Sequence, residues 1–400
     1  ASLLMVPSTY EAGKLYNVLP SGNRAPDNKG GAGYDQTRAD FDFDRGSNAA
    51  ATRINSSGLI EKYRENLLLQ SNNFGTTWGN ANTTETSGQS GYDGSNDAWS
   101  LDISGGTDSQ HIGQSVSSSG VQTFSVYAKA NTKNWLLLFA VGSGNPLSYF
   151  DLQNGVLGTQ SNATGTIESV GNGWYRCSMF FNVSVSSLRI YIATNDNNIT
   201  QSSGSVLIQD AQLESGMVAT DVLTSGATTA KAGVLIDLPR INFDANGENG
   251  ALLLEPSRQN LVQYSEYFGA WTLSNSTITS NATTSPEGVN NASLYTSTNV
   301  TNYVRNIITA SNATYTLSVF VKRVSTDEFR MNFSDGVTGE IRYVFNLADE
   351  TSTLTKSGGT ISGYSADFEN YGNGWYRLHI TATTNAGTAI TAYFETDNET

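Results

Sequence analysis

Polar and apolar residues alternate over short stretches along most of this chain, and turn residues close each stretch. Thr123, Ser125, Tyr127 and Lys129 alternate with Phe124, Val126 and Ala128, which places the two sets on opposite faces of a strand. Trp135–Val141 is an almost unbroken apolar run, the pattern of a strand buried on both sides. Tyr175–Val185 and Leu188–Ala193 continue the series, and Val206–Leu213 closes it. Asn-Gly and Gly-Asn steps supply the turns, and no stretch carries a helical period. The pattern predicts an all-β chain of tandem two-sheet sandwiches of the jelly-roll type.

The series then repeats. Gly171-Asn172-Gly173-Trp174-Tyr175-Arg176 returns as Gly372-Asn373-Gly374-Trp375-Tyr376-Arg377. Asn66-Leu67-Leu68-Leu69-Gln70 before Phe74 and Trp78 is answered by Asn260-Leu261-Val262-Gln263 before Phe268 and Trp271, and Thr123–Lys129 by Thr316–Lys322. Arg53-Ile54-Asn55, leading to Glu61, resembles Arg240-Ile241-Asn242, leading to Glu255, so each copy has a lead-in strap. A period of about 190–200 residues is too long for a solenoid, whose units run roughly 20–50, and each copy should hold its own core.

Four regions follow. Residues 1–60 read as an extended N-terminal arm, marked by Gly30-Gly31-Ala32-Gly33 and the alternating Phe41-Asp42-Phe43-Asp44. Residues 61–225 form the first sandwich, 226–258 a linker and second strap, and 259–400 the second sandwich. The second copy reaches Asp397–Thr400, aligned with Thr194–Asn197 of the first, without a counterpart of Val206–Leu213. That strand is expected beyond residue 400, because a sandwich lacking it exposes an edge and part of its core.

Composition narrows the function classes. Of 400 residues, 38% are hydrophobic and 10% aromatic, enough for two cores, while only 14% are charged. A net charge of −14, with no basic cluster, disfavours nucleic acid as a partner. The single cysteine, Cys177, has no intrachain partner, and no Cys/His grouping suits zinc. No apolar run approaches the roughly 18–20 residues that span a bilayer, so membrane insertion is not expected. The opening Ala1–Val6 lacks the length and basic flank of a secretory signal, and Ala1 suits a start from which Met has been trimmed.

Several tracts carry a family resemblance: Phe43-Asp44-Arg45-Gly46-Ser47, Ala51–Glu61, Leu252–Leu261, Gln209–Gly216 and the two Gly-Asn-Gly-Trp-Tyr-Arg motifs. Together they resemble the fibre and spike proteins of tailed bacteriophages, described as head spike, head fibre or tail fibre proteins with domains similar to carbohydrate-binding modules. The resemblance covers most of the chain from about residue 40. It implies a non-enzymatic structural protein of the virion, assembled in the host cytoplasm and exposed on the particle. Such proteins are often trimeric; residues 1–60 would bind capsid or tail proteins, and the sandwiches would face host surface glycans. Head attachment is the expectation; a tail-mounted receptor-binding fibre is the alternative, and a depolymerase with its catalytic part beyond residue 400 a third.

Candidate residues follow from chemistry. Trp78, Trp99 and Trp271 lie in turn-rich stretches, and with Tyr92 they could stack on pyranose rings. Trp174 and Trp375 open alternating strands and are read as core anchors, with Arg176 and Arg377 beside them in cation–π or structural hydrogen-bonding roles. Asp93, Asp97, Asp102 and Asp210 are the candidates for a structural calcium ion, such as similar jelly-roll modules hold; solvated loop carboxylates are the simpler reading, and no other cofactor is expected. A hydrolase would need a carboxylate pair or an activated nucleophile. His111 and His379 occupy non-equivalent places, and Glu61 and Glu255 suit salt bridges in the straps.

Overall fold

The alternation becomes strands throughout the computed structural model, which describes residues 9–11, 14–16, 41–42, 51–106, 109–235, 238–255, 258–385 and 389–396. The Gly30–Gly33 run, Phe43–Ser47 and most of the N-terminal arm lie outside the described residues. Two compact units emerge: Ala1–Asn66 with Thr229–Arg258, and Leu67–Thr228 with Gln259–Thr400.

The first unit contains β1 (Thr9–Glu11), β2 (Lys14–Tyr16), β3 (Phe41–Asp42), β4 (Thr52–Ile54), β5 (Ile60–Lys62), β6 (Arg64–Asn66), β19 (Ala230–Ala232), β20 (Ile241–Asn242) and β21 (Ala251–Leu252). The two lead-in straps pack against each other here. Asn55 Oδ1 accepts from the amides of Ser57 and Leu59, and Asp244 Oδ1 accepts from those of Asn246 and Glu248, so each strap turns about one Asx side chain. Gly58 and Gly247 close these turns at φ +72° and +75°. Each faces the other turn's backbone: a Cβ on Gly58 would lie 2.1 Å from Ala245 O, and one on Gly247 2.1 Å from Ser56 O. The turns thus match Asn55 with Asp244, two residues beyond the Arg-Ile-Asn match in the sequence. Glu61 and Glu255 pair with Arg53 and Arg240 at 2.6 and 2.8 Å.

The second unit holds both sandwiches. The first has β7 (Gly79–Ala81), β8 (Thr83–Gln89), β9 (Ala98–Ile103), β10 (His111–Ser118), β11 (Val121–Ala130), β12 (Trp135–Gly142), β13 (Leu147–Asp151), β14 (Val156–Ser161), β15 (Thr164–Gly171), β16 (Trp174–Asn182), β17 (Val185–Ala193) and β18 (Ser205–Ser215). Its sheets run β14-β13-β12-β17-β10-β7 and β15-β16-β11-β18-β9-β8. The second has β22 (Thr272–Ser274), β23 (Ser276–Thr283), β24 (Ala292–Ser297), β25 (Tyr303–Thr309), β26 (Thr314–Lys322), β27 (Glu328–Ser334), β28 (Glu340–Asn346), β29 (Thr351–Gly358), β30 (Ile361–Asn370), β31 (Trp375–Thr384) and β32 (Ala389–Thr396). One sheet, β29-β28-β27-β32-β25-β22, reproduces the first order strand for strand; the other is divided into β30-β31-β26 and β24-β23.

Each sandwich has its own core, as the repeat predicts. Phe124, Leu136, Leu138, Phe150, Ile190 and Ile208 are fully buried in the first, and Met331, Ile341, Phe345, Leu378 and Ile380 in the second. Both faces of β11 are covered. Thr123, Ser125 and Tyr127 are buried with the apolar set, because the chain after β18 folds back across that face. Gly216 O accepts from Thr123 Oγ1 at 2.9 Å, Thr220 O accepts from Arg176 at 2.5 Å, and Leu223 N donates to Gln212 at 2.8 Å.

Replacing Gly247 with alanine forces a β-carbon against Ser56 O at a left-handed φ. Gly247→Ala should destabilise the first unit by about 1–3 kcal/mol. Hydrogen exchange over residues 52–62 should quicken, and unchanged exchange there would contradict the reciprocal packing.

Candidate functional site

The aromatic residues singled out by sequence separate into cores and surfaces. Trp78 and Trp271 are 7% and 6% exposed and belong to the two cores, although turn-rich sequence surrounds them. They are equivalent. Each ring tilts against a phenylalanine, Phe74 at 5.1 Å and Phe268 at 5.0 Å, and donates its indole N–H over 3.1 Å to a carbonyl, that of Gln70 or Tyr264. Both acceptor residues have left-handed φ, 50° and 54°, which turns the carbonyl toward the ring. Trp99 is half-buried, lies edge-on to Phe74 and donates to Asn72 O at 3.0 Å.

Trp174 is buried beneath Tyr92 and Tyr127 on the outer side of β11 and β16, while Trp375 is buried and donates to Thr284 O. Arg176 sits 5.4 Å from the Tyr127 ring centre. Arg377 pairs with Glu369 at 3.3 Å.

Tyr92 stacks flat on Tyr127 at 3.7 Å and donates to Asp210 Oδ2 at 3.1 Å. Asp93 and Asp97 approach the same place, and both take a hydrogen bond from the Gln209 amide, at 3.4 and 2.8 Å. That amide donor stands where a cation would need an oxygen. Among the described residues no group of three acidic, cysteine or histidine side chains is arranged for a metal ion, and Asp102 is engaged separately by Ser100 at 2.7 Å. The four carboxylates are thus not gathered round one point among the described residues. Burial pushes Asp210 up to about 6, despite the Tyr92 hydrogen bond, and its Oδ1 is buried without a hydrogen-bond partner among the described residues.

A second cluster went unread in the sequence. On the outer face of the first sandwich, register aligns Tyr149, Leu137, Tyr191 and His111 in one row across β13, β12, β17 and β10. Leu147, Phe139, Arg189 and Gly113 form the row beside it. Leu137, Tyr149, Tyr191 and Ala193 make a buried floor, and Trp135, Phe139, Leu147 and Ile199 a half-buried rim. Polar groups border the floor. Arg189 donates to the Tyr191 hydroxyl at 3.0 Å, and His111 lies 4.4 Å from the Tyr191 ring, held below its usual pKa by burial and by Arg189. Asp196 receives Thr159 N at 2.6 Å beside Trp135, where the absent side chain of Gly158 makes room for both.

The second sandwich uses the corresponding face differently. Arg330, the counterpart of Leu137, is flanked by Val344 and Glu395; the next row reads Arg342, Asn332, Tyr393 and Arg305, and Arg342 reaches Glu340 and Glu395 at 3.6 and 3.4 Å. Aromatic floor in one copy has become an ion network in the other. The signal was present in the sequence as the contrast between Trp135-x-Leu137-x-Phe139 and Glu328-x-Arg330-x-Asn332 at alternate positions.

No protein-family model and no curated protein sequence matches this chain. Among solved structures, it is similar to a Clostridium thermocellum endo-1,4-beta-D-xylanase comprising CBM22-1 and GH10 modules, complexed with xylohexaose. The identity is 16%, over 38% of this chain and 27% of that one, with a TM-score of 0.23. It is also similar to a Paenibacillus sp. cycloisomaltooligosaccharide glucanotransferase complexed with cycloisomaltoheptaose, at 10% identity over 86% of this chain and 47% of that one, with a TM-score of 0.21. The matches thus span less than two thirds of either protein. Scores of this size carry no inference, and the fold rests on its own strand order.

The buried Asp210 gives a pH test. Its folded pKa, about 6, lies above the ordinary 3.8, so its contribution is most favourable below pH 3.8 and is lost as pH rises through about 6. Asp210→Asn should match the parent at pH 3.5 and exceed it by about 1–2 kcal/mol at pH 7. Equal stability at both values, by chemical denaturation, would show the carboxylate to be solvated.

Proposed function

We propose that this chain is a non-enzymatic adhesion protein of a tailed-bacteriophage particle, and that its first sandwich holds a glycan on the outer face of β12, β13 and β17. The carrying observation for the glycan is the aromatic floor and rim bordered by Arg189, His111 and Asp196. Pyranose rings offer apolar C–H faces to aromatic rings while their hydroxyls take hydrogen bonds at the edge, and this face supplies both. A net charge of −14 disfavours polyanionic chains and points to a neutral glycan.

The virion part of the reading draws its support from the strap and Gly-Asn-Gly-Trp motifs that resemble phage fibres. Residues 1–60 would attach it to the head, and trimerisation would multiply a weak site into firm adhesion. Tyr92 and Trp99 remain the secondary aromatic candidates.

Glycan-array binding tests the site. Trp135→Ala with Phe139→Ala should reduce binding at least about tenfold while costing only about 1–2 kcal/mol of stability, because both rings are half-buried. Trp174→Ala, by contrast, should destabilise by about 3–5 kcal/mol through the cavity it leaves. Full binding by the double variant would remove this face from consideration. Labelling the protein on intact particles would place it on head or tail, or on neither.

A further inference from the structure

The charged outer face of the second sandwich holds a guanidinium that is paired with no carboxylate among the described residues. On this face Arg330 pairs with Glu328 at 3.4 Å, Arg342 with Glu340 and Glu395, and Lys356 with Glu340. Arg305 is held by rings instead. Its guanidinium lies 5.4 Å from the Tyr303 ring centre and 5.9 Å from that of Tyr393, and it donates to the Tyr393 hydroxyl at 3.4 Å. The two rings stand at 88° to each other with centres 5.5 Å apart, so they confine the guanidinium without neutralising it.

The two copies keep an arginine in this row by different means. Register sets Gly113 opposite Arg189 in the first sandwich and Arg305 opposite Tyr393 at the matching place in the second. A Cβ on Gly113 would lie 3.0 Å from Arg189 Cγ, so the Arg189 stem covers that glycine. The arginine has changed strands, and the row still carries a guanidinium.

Hydrogen-bonding capacity is left over beside Arg305. Its Nε is buried without a hydrogen-bond partner among the described residues, and so is Oδ1 of Asn332, a residue 4% exposed that neighbours Tyr393 on the adjacent strand. Two such atoms in one row point to a partner from outside the chain. Ile307, two residues from Arg305 on the same face of β25, is 62% exposed and adds an apolar surface.

Charge selects the ligand. Arg305, Arg330, Arg342 and Lys356 face Glu328, Glu340 and Glu395, an excess of one cation on a chain with 22 basic and 36 acidic residues. A long polyanion would meet the field of the whole chain, whereas a single carboxylate in a neutral glycan meets this face.

We infer that the outer face of β25, β32 and β27 binds a sugar that carries one carboxylate, a hexuronic acid residue of an otherwise neutral glycan. Arg305 takes the carboxylate, Asn332 accepts from a ring hydroxyl, and Ile307 lies against the C–H face. This site is separate from the aromatic floor of the first sandwich and does not depend on it.

The test titrates the full chain with methyl glucuronide and methyl galacturonide, each against its uncharged methyl glycoside, by ligand-observed NMR at low salt. At least one uronide should bind at least about tenfold tighter than its neutral match, and added salt should narrow the gap. Arg305→Gln should abolish the preference. Ile307→Asp should abolish it too, by setting a carboxylate beside Arg305 from an exposed position that leaves both tyrosines in place. Trp135→Ala with Phe139→Ala should keep it, which separates this site from the first. Four results would overturn the inference: no preference for either uronide, a preference that survives Arg305→Gln or Ile307→Asp, its loss in the first-face variant, or equally tight binding of acetate.

Discussion

A strand buried on both faces must provide a partner for every polar group it carries, and β18 shows what that demands. Its apolar residues enter the first core, while Gln209, Asp210, Gln212 and Glu214 on the other side are buried as well. Gln209 bonds to the Asp93–Asp97 turn; Gln212 and Glu214 bond to each other, and they hold Thr220 and Leu223. The segment that follows β18 therefore covers the sheet because the strand's own side chains bind its backbone. Arg176 and Trp174 fall beneath the same cover, which is why the Gly-Asn-Gly-Trp-Tyr-Arg motif anchors structure rather than presenting a ring to ligand. The one imperfect partner is Asp210: one of its carboxylate oxygens is buried without a hydrogen-bond partner among the described residues, and burial raises its pKa.

The two copies diverge in a way that follows from this organisation. Core positions face each other across a closed space, so Leu136, Leu138 and Ala140 are answered by Phe329, Met331 and Phe333, with size exchanged but polarity kept. Outer positions face solvent or ligand and are free to change sign and shape. Trp135 against Glu328 and Leu137 against Arg330 are such changes, and they turn one outer face into an aromatic floor and the other into an ion network. Partly exposed ion pairs of this kind add little stability, and their effect is to keep the face wet.

Much of the fold was legible. Strand alternation, the repeat and the unmatched Val206–Leu213 strand were all readable from residue order, because a strand's period is local and a repeat needs only comparison. Burial was harder to read. Thr123 and Ser125 look solvent-facing until a distant segment covers them, and Trp78 and Trp271 look exposed until a left-handed residue aims a carbonyl at each indole. Trp135–Val141 was read as buried on both faces, which hid the possibility that one face is a site. Pairing of the straps depends on Gly58 and Gly247 meeting across nearly the whole first repeat, a contact with no local signature.

That strap pairing constrains how the repeat could have diverged. Each strap turn is shaped by its own Asx residue but completed by the other's backbone, so neither turn can gain a side chain at its glycine without displacing its partner. The straps are thereby held to one geometry while the sandwich surfaces vary. Stability and recognition are separated along the sequence: the turns around Asn55 and Asp244 fix the connections, the inward positions of β7–β17 and β22–β32 fix the cores, and alternate outward positions remain for ligand chemistry.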